Sequence, residues 1–319
     1  MKKGRGSTLF SGLTVGVAVG IVAGTFVLAP NLPGGSTQQV EVLTKERDRA
    51  REDVDIALAQ ATSADSIVSS FAGSAIHDAL KDLSVVVLHS ADADAKDVDD
   101  LREMVKSAGA KDAGVIALKR NFFHQDGADS LKNTVALTLP AGAQLSEHKL
   151  DPGTHAGEAL QAALLKKESQ EGSEERKPGA SPEDRAIVLG ALKEAGFVDY
   201  TDGSVTEADA VIMVVGDEHG TKGHNFVPTT QVAFVEALAS KGDPVVVAGR
   251  VRTAAETGVI GLIRGDETLR EKVSTVDSVN RMWGQMATVL ALKEKVDGGS
   301  GAYGAAASAD AASPAPKVG

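Results

Sequence analysis

The sequence predicts an α/β protein whose Rossmann-like parallel sheet lies in two halves, behind an N-terminal transmembrane helix and a coiled-coil stalk. Three observations support this fold class. Residues 9–29 form an apolar run without charge, and residues 40–71 repeat apolar side chains at steps of three and four. From residue 84 onward, short unbroken apolar runs alternate with helical patterns, which is typical of a sheet covered by helices on both faces.

The apolar run at residues 9–29 is long enough to cross a bilayer as one helix. Its length at about 1.5 Å per residue is roughly 30 Å, the thickness of the hydrocarbon core. The segment before it, residues 1–8, is basic, so we expect a cytoplasmic N-terminus and export of the bulk of the chain to the cell envelope. A cleaved signal peptide is the alternative, but Pro30 directly after Ala29 fits a cleavage site poorly. The lipid bilayer is therefore a predicted partner.

Glycines recur at every fourth position of this helix, at Gly12, Gly16, Gly20 and Gly24. They lie on one helix face, where the backbone of a second helix can approach closely. We therefore predict helix association in the membrane and a homo-oligomer. The alternative is that small residues are simply frequent in membrane helices.

Residues 38–80 are predicted to form the stalk. Ten positions have heptad a and d spacing, and nine of them are apolar. They are Val40, Leu43, Arg47, Ala50, Val54, Ala57, Ala61, Ala64, Val68 and Phe71. A coiled coil would join the same chains as the glycine face, so it supports the homo-oligomer. The alternative is a single amphipathic helix packed on its own globular domain.

The region beyond the stalk divides into two α/β halves, residues 84–165 and 182–297. A charged segment at residues 166–181 separates them and is predicted to be a flexible linker. The low-complexity tail at residues 298–319 is predicted to be disordered. The sequence leaves open whether the two halves share one sheet.

Five apolar runs predict buried strands, at residues 84–89, 114–118, 210–216, 244–249 and 273–276. The main helices between and after them are predicted at residues 97–108, 129–139, 154–165, 182–195, 228–240 and 277–296. Strands and helices therefore alternate along both halves, as in βαβ units.

Composition and motifs exclude several kinds of site. The net charge of −11 and the aromatic content of 3% argue against nucleic-acid binding. The chain has no cysteine, which rules out zinc–thiolate sites, iron–sulfur clusters and cysteine nucleophiles. No G-x-G-x-x-G or Walker sequence follows a predicted strand, so we expect no nucleotide and no bound organic cofactor.

The loop after the predicted strand at 210–216 is the candidate metal site. It contains Asp217, Glu218, His219 and His224, at the end of a strand where ligands of such sheets bind. Carboxylate and imidazole groups suit copper(II), zinc or nickel. Solvated loop residues are the alternative, because the spacing matches no rigid ligand pattern.

No group of residues predicts catalysis, and we expect no enzymatic activity. Met282 and Met286 are one helical turn apart and could offer thioethers to copper(I), but their spacing favours packing in the core. Ser274, Asp277 and Ser278 offer hydroxyl and carboxylate groups at a strand end. Asp277 or Ser278 is more simply the N-cap of the last helix.

The chain resembles the actinobacterial copper-transport protein MctB family. The resemblance rests on the anchor, the stalk and several landmarks in order, together with the tail at 301–304. The landmarks are residues 85–88, 139–145, 210–216, 245–249, 273–277 and 284–292. It implies a channel-forming envelope protein with a role in copper homeostasis and with copper as the transported ion, and it implies no ligand residues.

We therefore expect a membrane-anchored envelope protein that acts in copper efflux or homeostasis as a component of an oligomeric channel. One apolar helix cannot enclose a pore, so a channel requires several chains or a partner protein. The first alternative is an envelope adaptor whose stalk and α/β domain bind proteins without metal transport. The second is a ligand-binding or enzymatic domain at the carboxyl ends of the strands.

Overall fold

A computed structural model describes residues 37–167, 178–217 and 225–315 of the chain. The chain divides into two compact units, residues 1–67 and 68–319. The described part of the first unit belongs to helix α1 (Thr37–Ala75), whose last residues belong to the second unit. In the described ranges, no helix combines the length and the apolar character that a membrane crossing requires. The predicted membrane helix at 9–29 and its glycine face lie outside these ranges.

Helix α1 covers most of the predicted stalk and carries large apolar side chains that are exposed to solvent. On the predicted seam, Leu43, Val54 and Phe71 are 41%, 54% and 63% exposed. Further exposed apolar side chains are Val42, Ile56, Leu58 and Ile67. Burial of one such side chain is favourable by about 1.5–3 kcal/mol, so association could stabilise this helix. Its pairing with a second chain stays a prediction.

The described part of the second unit contains a single sheet of seven strands. In chain order they are β1 (Ser84–Ser90), β2 (Lys111–Leu118), β3 (Val198–Asp199), β4 (Ala210–Val215), β5 (Val245–Gly249), β6 (Ser274–Val276) and β7 (Ala302–Tyr303). Their spatial order is β3-β2-β1-β4-β5-β6-β7, and all neighbours are parallel except β2 and β3. The two predicted halves therefore share one sheet. The predicted α/β class with a mainly parallel sheet is confirmed, and the strand order contains the 3-2-1-4-5-6 arrangement of Rossmann-type folds.

The central strands β4 and β5 are apolar at every position because helices cover both faces of the sheet. All six residues of β4 and all five of β5 are buried. Alternate side chains of β4 point to opposite cores: Val211, Met213 and Val215 to one, and Ala210, Ile212 and Val214 to the other. A continuous apolar run thus supplies two cores at once.

The helices divide between the two faces of the sheet. The core of the first face is built by α3 (Arg120–Phe123), α4 (Ala128–Leu137), α5 (Pro152–Leu164), α6 (Pro182–Glu194), α7 (Phe226–Leu238), α8 (Val259–Gly265) and α9 (Glu267–Lys272). The core of the second face contains side chains of α2 (Ala95–Ser107) and α10 (Met282–Val296), together with Ile76 and Leu80. Met282 and Met286 pack against this second core, which confirms the core interpretation of that pair.

Both ends of the predicted linker at 166–181 make defined contacts. The Lys166 amide donates to the Ala208 carbonyl at 3.0 Å. Ser181 caps α6 by accepting from the Asp184 amide at 3.0 Å. Residues 168–177 lie outside the described ranges.

Asp209 joins the beginnings of β1 and β4. Its Oδ2 accepts the amide and the hydroxyl of Ser84 at 2.8 and 2.7 Å, and Lys166 Nζ lies 2.8 Å from Oδ1. Burial acts to raise the pKa of Asp209, but the hydrogen bonds from Lys166 and Ser84 outweigh it and hold the pKa below its usual value.

The structure differs from the expectation of a disordered tail over residues 298–315. Strand β7 pairs with β6 in parallel, Thr275 beside Ala302, and Tyr303 is buried. The tail is poor in large apolar residues. It is hydrogen-bonded to β6, since the Thr275 amide donates to the Gly301 carbonyl and the Asp277 amide donates to the Tyr303 carbonyl, both at 3.0 Å. Residues 316–319 lie outside the described ranges.

Candidate functional site at the carboxyl edge of the sheet

The carboxyl ends of β1 and β4 mark the point where the strand order reverses. The chain leaves β1 towards β2 on one side and leaves β4 towards β5 on the other. In open α/β sheets, ligands bind in the crevice at this switch point. The residues that follow the two strands, Asp92 after β1 and Gly216 and Asp217 after β4, therefore define the candidate site.

The two loops at the switch point are hydrogen-bonded to each other. The Gly216 amide donates to Ser90 Oγ at 3.0 Å, and Ser90 Oγ donates to Asp92 Oδ1 at 2.5 Å. A Cβ at Gly216 would lie 2.2 Å from the Asp92 carbonyl oxygen. Glycine is therefore required here because one loop packs directly on the backbone of the other. This contact closes the part of the crevice between Asp92 and Gly216.

An arginine after β5 orders the acidic loop that follows β1. Arg250 Nε lies 2.7 Å from Asp97 Oδ2, and its Nη2 lies 2.7 Å from Asp94 Oδ2. Asp94 also caps α2, since it accepts from the Lys96 amide at 2.9 Å. That backbone hydrogen bond is the main cause of the lowered pKa of Asp94. The hydrogen bond with Asp97 is the main cause of the raised pKa of Arg250.

A carboxylate thus occupies the helix N-terminus that holds phosphate in dinucleotide sites. Sequence reasoning missed the arginine partner of this loop. The position of Arg250, directly after the buried run at residues 245–249, is the sequence feature that places it at the same edge of the sheet.

A small cavity lies beside the switch point, between the ends of β1 and β2 and helix α7. Gln231 lines it and is 2% exposed, and its Oε1 has no hydrogen-bond donor within the described ranges. Asp92, Arg120 and His124 also line the cavity, and Arg120 Nη2 lies 3.3 Å from His124 Nδ1. The space suits about one water molecule, which could donate to Gln231.

The predicted metal loop is only partly described. Asp217 lies two residues after β4, at the switch point where the sequence places it. Glu218, His219 and His224 lie outside the described ranges. Within those ranges, three or more histidine, aspartate or glutamate side chains do not come together in a group that could hold a metal ion. The metal site on this loop stays a prediction.

A buried ion pair occupies the end of β6. Asp277 Oδ2 lies 2.7 Å from Arg264 Nη1, and the side chains are 0% and 2% exposed. The other Arg264 nitrogens donate to Thr275 Oγ1 at 2.9 Å and to the Tyr303 carbonyl at 2.7 Å. Asp277 Oδ1 accepts the amide of Ala305 at 2.7 Å. The pair therefore connects α8, β6 and the tail.

The prediction that Asp277 or Ser278 caps the last helix is wrong. Helix α10 begins at Met282, and its N-cap residue is Arg281. The Asp277 carboxylate instead pairs with Arg264 and accepts a backbone amide of the tail. Gly304 has a φ of +137°, and a Cβ there would lie 2.2 Å from Asp277 Oδ1, so the tail needs glycine at this position.

These observations define an α/β protein with a doubly wound, mainly parallel sheet, in which arginines and hydroxyl groups hold carboxylates at the carboxyl edge. The chain belongs to the family described as copper transport outer membrane protein, MctB, whose model matches residues 9–314. The resemblance inferred from the sequence is thereby confirmed. That description names transport and the outer membrane, and it names no enzymatic activity.

Several relatives match most of the chain. Proteins named copper transporter MctB from Mycobacterium bovis and Mycobacterium tuberculosis are 29% identical over 291 residues, which cover 90% of this chain and 91% of theirs. A copper transporter MctB from Mycobacterium leprae is 30% identical over 242 residues, 73% of each chain.

Proposed function

We propose that this chain is a single-pass envelope protein, anchored by residues 9–29, that acts in copper efflux or homeostasis. The family match from residue 9 to residue 314 carries this proposal, because it includes the predicted anchor, helix α1 and the whole sheet. Relatives that match over nine-tenths of their length are named copper transporters. Copper is accordingly the proposed transported ion.

A deletion strain tests the role in copper. We expect it to lose copper tolerance, and the full-length gene should restore growth while a version without residues 9–29 should not. Conductance of the purified full-length protein in a planar bilayer, compared with the version lacking the anchor, tests the channel directly. Unchanged tolerance in the deletion strain would reject the copper role.

The proposed channel is an oligomer, because one helix per chain cannot enclose a pore. The exposed seam residues of α1, Leu43 and Val54, support self-association, since a second copy would remove them from water. Replacement of both by Glu should weaken crosslinking of the full-length protein, as should Gly16→Leu with Gly20→Leu in the anchor. Ser63→Glu, exposed and off the seam, is the control. Crosslinking that is unchanged in all variants would reject the oligomer.

The proposed copper ligands are Asp217, Glu218, His219 and His224. The position of Asp217 at the switch point supports this assignment, as does the preference of copper(II) for imidazole and carboxylate groups. Calorimetric titration of the full-length protein with copper(II) should lose its heat when both histidines are replaced by alanine. His77→Ala is the control, because that side chain is 75% exposed and lies far from this loop in sequence. Equal heat in the double variant would reject this site.

The second candidate function is an envelope adaptor without metal transport. The exposed apolar side chains of α1 favour it, because such surfaces also bind other proteins. An adaptor predicts normal copper tolerance and loss of a crosslinked protein partner when Leu43 and Val54 are replaced. The transport proposal predicts loss of copper tolerance in the deletion strain, and loss of crosslinks between copies of this chain when Leu43 and Val54 are replaced.

A further inference from the structure

Helix α1 carries two opposite charges at the borders of its exposed apolar face. Leu43 and Val54 lie on this face, at heptad positions d and a. Glu46 ends one heptad at position g, and Arg51 holds position e of the next heptad. Both charged side chains are exposed, and neither forms an ion pair within the described ranges. They are therefore available to a second chain that covers the apolar face.

The short connection between the proposed anchor and α1 favours a parallel arrangement of neighbouring copies. The anchor ends at residue 29 and α1 begins at Thr37, so seven residues lie between them and reach at most about 25 Å. The 39 residues of α1 span about 58 Å. An antiparallel pair would place the two starts about that far apart, so associated anchors would need both connections fully extended in opposite directions. A parallel pair needs no such extension.

The charges on α1 favour one register of a parallel pair. In parallel coiled coils, position g of one chain lies beside position e of the next heptad of the other chain. Glu46 of each copy then meets Arg51 of the other copy, so an in-register pair forms this contact twice. A shift by one heptad leaves one attraction, between Asp53 and Arg51, and adds one repulsion, between Asp53 and Asp65.

Arg47 is the polar residue of the seam, at position a, and in register it lies opposite the same residue of the second copy. Its Nη2 lies 2.7 Å from Asp48 Oδ1 of its own chain, which places a counter-charge beside the guanidinium. A single polar residue at an a position specifies the alignment of the helices at a cost in stability. Arg47 is therefore compatible with the in-register pair.

We infer that α1 associates with α1 of a second copy as a parallel, in-register coiled coil, in which contacts between Glu46 and Arg51 select the partner. This inference rests on the proposed oligomer and anchor. It adds the orientation of the helices, their register and the charged residues of the contact.

A single introduced cysteine reports the register, because the chain contains none of its own. Ala50→Cys lies at position d, where the two copies of a parallel, in-register pair face each other. Oxidation of the full-length protein in membranes should link this variant into disulfide dimers. Ser63→Cys, exposed at position c, is the control and should stay unlinked. Oligomers that amine crosslinking detects but Ala50→Cys does not link would overturn the inference and leave the proposed oligomer in place. Absence of oligomers in both assays would reject both.

Exchange of the two charges tests partner selection in the Ala50→Cys protein. Glu46→Arg places a second guanidinium beside Arg51 in both contacts and should lower the linked fraction about tenfold, as should Arg51→Glu. Glu52→Arg, exposed at position f, makes the same change of charge away from the contact and should have little effect.

The two charge variants should restore pairing when they are expressed together with tags of different size. Each contact between the Glu46→Arg chain and the Arg51→Glu chain again joins opposite charges, so mixed dimers should exceed dimers of either chain alone. This rescue also shows that α1 is retained in both variants. Unchanged linking in the single variants, or random linking of the two tagged chains, would overturn the inference.

Discussion

Replacement of Asp277 by alanine should strongly destabilise the sheet domain. The carboxylate lies 2.7 Å from Arg264 Nη1 in a site where both side chains are essentially inaccessible to water. Its removal leaves a buried guanidinium without its counter-charge, which typically costs about 3–5 kcal/mol. The tail also loses its acceptor for the amide of Ala305. We therefore expect a loss of this size in the free energy of unfolding, with release of β7.

Denaturant unfolding of the full-length protein in detergent measures this loss. Trp283 lies in α10 and is the only tryptophan of the chain, so its fluorescence reports on this domain. Limited proteolysis should cleave the tail of the variant first. The matched control is Arg270→Ala, which breaks an ion pair with Asp310 whose side chains are 42% and 55% exposed. Exposed pairs contribute about 0–1 kcal/mol.

A double variant separates the charge effect from simple loss of packing. Arg264→Met with Asp277→Leu replaces the pair by apolar side chains and leaves no unpaired charge. It should be more stable than Asp277→Ala alone, because buried pairs are often replaceable by apolar groups. A loss in Asp277→Ala no greater than in the Arg270 control would refute the reasoning. So would equal losses in the single and double variants.

Two further predictions concern other contacts of the sheet. Gly216→Ala should destabilise the protein by about 1–3 kcal/mol, because the new Cβ meets a backbone oxygen. The control is Gly190→Ala in α6, where a Cβ meets nothing within 4 Å. This variant should stabilise the protein by about 0.5–1 kcal/mol. Asp209 has a lowered pKa in the folded protein, so its stabilisation is present above its unfolded pKa and is lost as the pH falls through its folded pKa. Asp209→Asn should therefore lose about 1.5–3 kcal/mol near pH 7, because the hydrogen bonds from Lys166 and Ser84 no longer reach a charged acceptor. The difference from the wild type should shrink as the pH falls below the unfolded pKa and should vanish below the lowered folded pKa.

Thermal unfolding checks the prediction for the two glycine variants. Denaturant unfolding over a pH series checks the prediction for Asp209→Asn. Equal midpoints for the two glycine variants would contradict the close contact between Gly216 and the loop after β1. A difference between wild type and Asp209→Asn that stays constant from neutral to acid pH would contradict the role of the ionised carboxylate.

The sequence placed Asp217 at the carboxyl edge of the sheet but did not predict most of the contacts there. Asp217 follows a buried run, and the end of such a run is visible locally. Ser90 and Gly216 are 126 residues apart, and Arg250 and Asp97 are 153 residues apart. No local pattern joins residues at such separations. The loops therefore could be placed at one edge, but their hydrogen bonds to each other could not be predicted.

The sequence by itself determined the alternation of strands and helices and the family. Buried strands and capped helices are encoded locally, as the apolar run of β4 and the Ser181 cap of α6 show. Only the tertiary structure decided that both halves share one sheet and that the low-complexity tail adds strand β7. The reason is that these features rest on distant backbone pairing and on one buried ion pair. Arg264 and Asp277 look like ordinary polar residues until α8, β6 and the tail are brought together.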